Sequence, residues 1–252
     1  MNTYTFSGKV LPERANMSIT RPLPIAMEAK DAGISGAGAI SILVSQISVV
    51  FNTEDSNVDL PTLKNYVEGI VRNLVDAYGY LSGRGYDIEI TSVVDPAGMQ
   101  TVFGVGVGAL EQTQSERPLS FQDLKDVVFK SQELRRALSD LREAIRSPLD
   151  TGFFCYRAIE CIRQSFRQAE DGDKDGPSWG RLRDMLRVDR SWIEVVKKSA
   201  DPQRHGGTPY MSGEDRVSAM LHAWKVVDRF CIYVRRGFNP LPEDEFTVLK
   251  EA

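Results

Sequence analysis

The sequence predicts an α+β protein in two parts: an N-terminal α+β sheet domain over residues 1–111, a linker at 112–119, and an all-α helical bundle over residues 120–252. Three observations predict it. Stretches near the N-terminus alternate apolar and polar residues with period two. One long run between them repeats its apolar residues every three to four positions. Beyond the polar, proline-containing stretch from Gln112 to Pro118 the apolar spacing is helical throughout. A hydrophobic content of 42% and a charged content of 26% belong to a globular chain and exclude a disordered one. The net charge of −4 excludes broad polybasic contact with nucleic acid, so any RNA contact has to be local.

In chain order, Tyr4 to Leu11 alternates as a first strand, and Met17 to Thr20 continues the pattern until Pro22 and Pro24, which favour an edge. Ile40 to Phe51 is rich in β-branched residues and reads as one long central strand. Asp59 or Pro61 opens a helix that carries Leu63, Val67, Ile70, Val71, Leu74 and Val75 on one face, and this helix has to cover the sheet. Gly83-Arg84-Gly85 ends it. Tyr86 to Val94 returns as a strand, and Gln100 to Leu110 reads as a last one, with Gly104, Gly106 and Gly108 leaving one face bare. Gly33 to Gly38 reads as a flexible loop.

In the second part Ser120 caps a helix to about Lys130, and Glu133 to Arg146 forms a charged helix with a narrow Leu/Ile stripe. Pro148 starts the next helix. Its Phe154, Ala158, Cys161, Ile162, Ser165 and Phe166 make a core face, while Arg157, Glu160, Gln164 and Arg167 make a polar face that reads as an ion-pair ladder or part of a site. Asp171 to Pro177 is an exposed loop, and Ser178 caps a short helix with Trp179 and Leu182. Asp189 or Ser191 starts a helix that leads to Arg204 and His205. Ser212 opens a final helix with the stripe Val217, Leu221, Trp224, Val227, Cys231 and Val234, and Gly237 stops it; the tail from Asn239 to Ala252 reads as weakly ordered.

The chemistry concentrates near Lys198-Ser199-Ala200-Asp201-Pro202-Gln203-Arg204-His205-Gly206. Pro202 and the following glycines are expected to stop the helix, so that Arg204 and His205 project from a corner. A histidine moves protons near neutral pH, and an arginine holds a phosphate with two hydrogen bonds. The other histidine, His222, reads as a half-buried packing residue. Cys155, Cys161 and Cys231 have no metal-ligand spacing and read as buried free thiols; no motif implies a metal or a cofactor. The N-terminal residues lack a signal-peptide pattern and no run reaches membrane-helix length, which points to the cytoplasm and away from a membrane.

A helix with Tyr156-Arg157-Ala158-Ile159-Glu160, then a Trp-containing short helix, then Arg204-His205-Gly206 before a long closing helix, resembles the HEPN superfamily of bacterial helical domains over roughly 148–237. The resemblance implies a helical bundle that forms a homodimer. Active members are metal-independent ribonucleases, and many serve in phage defence or toxin–antitoxin systems. His205 and Gly206 match the family motif, and Asp201 stands where its polar residue falls. Ala200 occupies the place of the family arginine, and the nearby Lys198 is a point charge without the bidentate fork. The resemblance therefore implies a non-catalytic RNA- or protein-binding module. The alternative it implies is a metal-independent endoribonuclease in which His205 moves the proton and Arg204 holds the phosphate, with Arg157, Glu160, Lys198 and Asp201 around the substrate.

Overall fold

The protein is described here by a computed structural model that covers residues 1–55, 58–207 and 211–251. The chain forms two compact units, Met1–Gly104 and Val105–Ala252.

The first unit runs β1 (Asn2–Leu11), β2 (Ile19–Ala29), β3 (Ile34–Leu43), β4 (Gln46–Thr53), α1 (Leu60–Ser82), β5 (Asp87–Val94) and β6 (Gln100–Val102). The strands form one sheet in the order β2-β3-β4-β1-β5-β6, every pairing antiparallel. Phe6 stands opposite Val49 of β4 on one side and Val93 of β5 on the other, so the N-terminal strand lies inside the sheet. β4 and β5 both run antiparallel to β1 and hence parallel to each other, which requires a crossover, and α1 supplies it. Alternation places Tyr4, Phe6, Val10, Ile47, Val49, Phe51, Ile88 and Ile90 in one core with Leu63, Val67, Val71 and Val75, one face of α1. Asp59 caps α1 by accepting from the Thr62 amide at 3.0 Å, and Gly83 ends it at φ 64°, in the left-handed region that glycine tolerates.

Three expectations for this unit change. The stretch Ile40 to Phe51 is a hairpin, not one strand: Val44 and Ser45 both take positive φ (51° and 61°). Neither is a usual residue at positive φ. The turn is held from outside, because Ser45 exchanges hydrogen bonds with Met17 through Oγ and its own amide, and Ser18 Oγ accepts from the Val44 amide. The glycines 36 and 38, expected in a loop, lie in β3, where a Cβ would strike the backbone of Val50 and Asn52 or the Phe51 ring. The last strand stops at Val102. Pro22 and Pro24 do lie on an edge strand, β2, where a missing amide costs no ladder bond to a further strand.

The second unit holds α2 (Gly108–Gln112), α3 (Phe121–Lys130), α4 (Gln132–Arg146), α5 (Thr151–Gln164), α6 (Gly176–Leu186), α7 (Arg190–Arg204) and α8 (Gly213–Arg235). It begins earlier than the polar stretch suggested. Residues 105–111, expected with the sheet, and 112–119, expected as a linker, lie in this unit, because Leu110 is buried in its core and Arg117 pairs with Asp228 of α8 at 2.8 Å. Ser120, Ser131, Asp189 and Ser212 cap α3, α4, α7 and α8. Ser178 instead lies buried inside α6, which starts two residues earlier.

α5 is the central helix: it touches α4, α6, α7 and α8, and buries Cys155, Tyr156, Ala158, Ile159 and Ile162. Gly152 lets α7 approach so closely that a Cβ there would strike the Ser199 carbonyl. Arginines close the ends of three helices: Arg135 donates to the Val128 and Phe129 carbonyls of α3, Arg216 to the Ala144 and Ile145 carbonyls of α4, and Arg229 to the Leu186 carbonyl of α6. The tail is docked rather than loose. Leu241 is buried and its amide donates to the Met185 carbonyl at 2.9 Å; Leu249 pairs with Val188 as a parallel bridge. Carbonyls left open where α6 ends are the reason, since the tail amides satisfy them. No described helix is long and apolar enough to cross a membrane.

Candidate functional site

The site residues read from the sequence all come from α5 and the end of α7, and the structure sorts them into groups. α7 does not stop at Pro202; it runs through it to Arg204, with His205 as its C-cap. The proline stands in the last turn, so only one intrahelical bond is lost, and it falls where α7 is already ending. Arg204 is therefore a helical residue held against α5. Its guanidinium lies 3.5 Å from Glu160 and 3.6 Å from Asp201, and 5.2 Å from the centre of the Tyr156 ring.

Tyr156 continues a stack. Its ring lies 6.0 Å from that of Trp179, nearly parallel, and the Arg163 guanidinium covers the far ring at 5.3 Å. Arg163 is buried and pairs with Asp175, while its Nε has no hydrogen-bond partner among the described residues. Burial pushes the Tyr156 hydroxyl up to about 12, and the neighbouring Glu160 adds to it.

Arg157 leaves this group. It turns to α4, where it pairs with the buried Asp140 and lies over the rings of Phe153 and Phe154. The expected polar ladder along α5 is thus split: Arg157 serves α4, Glu160 serves α7, and Arg167 donates to the Gly172 carbonyl at 2.7 Å. Lys198 is exposed and makes no ion pair among the described residues. The His205 ring is exposed, and its only hydrogen bonds among the described residues run through its backbone amide, to Asp201 and Pro202. Ala200 is fully buried. His222 is held rather than merely packed: it lies 4.1 Å from Trp192 ring to ring, and its nitrogens meet the Ser218 carbonyl and the Glu251 carboxylate.

Burial holds the Glu160 carboxyl above the ordinary glutamate range, with Arg204 and Arg163 pulling it back. A carboxyl raised on folding contributes stability that is present below its unfolded value of about 4.3 and is lost as pH rises through the folded one. Glu160→Gln removes that loss. The variant is expected to gain stability relative to the wild type as pH rises from about 4 to about 7. Urea midpoints at the two pH values check this, and a relative loss over the same range contradicts it.

From Val105 onward the chain carries 17 arginines against seven lysines. Of these, Arg135, Arg216 and Arg229 cap helices, while Arg117, Arg157, Arg163, Arg181 and Arg187 pair with carboxylates. Among the described residues no group of three or more His, Cys, Asp or Glu is placed to hold a metal ion. Burial pushes the thiols of Cys155 and Cys231 up to about 12 and that of Cys161 to about 11, so none is an activated nucleophile.

Fold and site together define a two-unit chain, a helix-covered antiparallel sheet followed by a helical bundle with a charge-balanced corner. Residues 4–103 match the family described as "Domain of unknown function (DUF8168) N-terminal domain", and residues 121–235 match "Domain of unknown function (DUF8168) C-terminal domain". No curated protein and no solved structure matches the chain.

Proposed function

We propose that the helical unit is a HEPN-like, non-catalytic binding module whose partner is a protein, in the setting of bacterial defence or toxin–antitoxin pairs that the resemblance implies. The observation that carries this reading is the state of the motif. Ala200, in the place of the family arginine, is 0% exposed, so that position offers neither a charge nor access. Arg204, the nearest guanidinium, is already balanced by Glu160 and Asp201, and a phosphate arriving there would meet two carboxylates. Protein contact is favoured over RNA by α3, whose outward face carries Phe121 and Phe129 at 83% and 76% exposure, eight residues apart and hence about 12 Å along the axis.

The second reading is the metal-independent endoribonuclease with His205 and Arg204. It is favoured by the open His205 ring and by Lys198, which lies seven residues earlier on the same helical face and is likewise exposed. One assay separates the two. Structured RNA incubated with the full chain in the presence of a chelator is expected to stay intact, with wild type and His205→Ala alike. Cleavage by the wild type that falls by about 10²–10⁴ in His205→Ala would overturn the binding reading in favour of the enzyme.

A further inference from the structure

The helical unit contains a pocket of about 260 Å³ between α3, α4 and α8, well away in sequence from the Arg204 corner. Leu141, Val227 and Cys231 are buried at its floor, and Leu124, Leu138 and Trp224 form half-buried walls. The geometry follows from the sequence. Trp224, Val227, Asp228 and Cys231 recur at i, i+3, i+4 and i+7 and so share one face of α8. α3 is short, and of its side chains only Val127 is fully buried, so Leu124 borders the space without filling it.

The polar edge of the pocket is one ion pair. Arg117 Nη1 donates to Asp228 Oδ2 at 2.8 Å, and Nη2 donates to Thr113 Oγ1 at 3.2 Å. Both partners are poorly solvated, with side chains 22% and 20% exposed. The pair neutralises itself. A carboxylate entering here would sit beside Asp228, and an ammonium beside Arg117, in each case a like charge in a site of low dielectric. A hydroxyl meets neither penalty: its oxygen can accept from the guanidinium while its proton is donated to the carboxylate.

We propose that this pocket binds a small, neutral, mostly apolar molecule with one hydroxyl group, of the class of alkylphenols and medium-chain alcohols. The volume suits it. With about 30 Å³ for each water-sized group, the space takes roughly eight or nine non-hydrogen atoms. The apolar floor and walls draw the hydrocarbon part, and the Arg117–Asp228 pair orients the hydroxyl. Because Leu124 is on one wall, an occupant also adds contacts that tie α3 to α4 and α8.

Calorimetric titration of the full chain with 4-ethylphenol tests the proposal, with hexanoate and hexylamine as charged probes. The expected result is saturable one-to-one binding of 4-ethylphenol, with both charged probes weaker by about tenfold or more. Leu138→Trp fills the pocket and is expected to weaken 4-ethylphenol by at least about tenfold while the protein still unfolds cooperatively. If that variant fails to fold, Leu124→Trp fills the same space from the α3 side and has the same expected effect. Absence of saturable binding to the wild type, undiminished binding to the folded filled variant, or hexanoate binding as tightly as 4-ethylphenol would each overturn it.

Discussion

Phe230→Ala is expected to lower the stability of the helical unit by about 4 kcal/mol, within the range for truncating a large buried aromatic. Phe230 is 0% exposed and lies in the C-terminal third of α8. Its ring packs edge-on to Phe166 at 6.1 Å and nearly parallel to Tyr233 at 5.9 Å, and Tyr233 in turn touches Phe166 and Phe238. Removing it leaves a cavity that the rings of Phe166 and Tyr233 border and that rigid neighbours on α8 cannot collapse into. The measurement is convenient, because Trp179, Trp192 and Trp224 are the three tryptophans of the chain and all belong to this unit. Urea unfolding followed by tryptophan fluorescence therefore reads the helical unit, and a loss under about 2 kcal/mol would contradict the packing described. Phe230 and Tyr233 lie outside the apolar stripe read from the sequence for α8, yet both are core residues of their own unit, so they give no support to the homodimer that the resemblance implies.

Local periodicity made most of the elements legible. The alternation in β1, the apolar face of α1 and the serine caps of α3 and α8 act within a few residues of themselves, so a sequence displays them. What was not legible depends on residues far away. The Val44-Ser45 turn is imposed by Met17 and Ser18, the two residues before β2. Gly36 and Gly38 look like loop residues until the Phe51 ring is seen over Gly36 and the Val50 backbone against Gly38. The tail lacks any strong pattern of its own because it is ordered by carbonyls left at the end of α6. The site was half legible for the same reason. Helical spacing put Arg157 and Glu160 near each other on α5, yet residues three apart are still offset by about 60° around the axis, and the two side chains reached different neighbours, Asp140 on α4 and Arg204 on α7. Tyr156 and Trp179 complete a stack in which Arg204 covers Tyr156 and Arg163 covers Trp179, contacts between different helices that no local spacing displays.

Arg216→Met is expected to cost about 3 kcal/mol, and Arg204→Met less than about 1 kcal/mol, although only Arg204 stood out in the sequence. Arg216 is half-buried and donates to Thr151 Oγ1 at 2.9 Å, the Ile145 carbonyl at 2.8 Å and the Ala144 carbonyl at 3.4 Å. No carboxylate pairs with it among the described residues, and burial pushes its guanidinium down from the ordinary arginine range. Its charge is thus spent on the carbonyl end of α4, where the helix dipole is negative and intrahelical donors have run out. Methionine keeps the apolar stem and removes all three bonds, leaving the Ile145 carbonyl without this donor and the Ala144 carbonyl with the Thr151 hydroxyl alone; the relief of a desolvated charge returns only part of that cost. Arg204 differs in each respect. It is 36% exposed, its partners Glu160 and Asp201 reach water, and its contacts at 3.5 and 3.6 Å are weak ion pairs rather than close hydrogen bonds. Urea unfolding of the two variants side by side decides the matter. Equal losses would mean that Arg204 holds the junction of α5 and α7 as firmly as Arg216 holds that of α4 and α8, and the corner would then be a structural joint with no surface left to offer a partner.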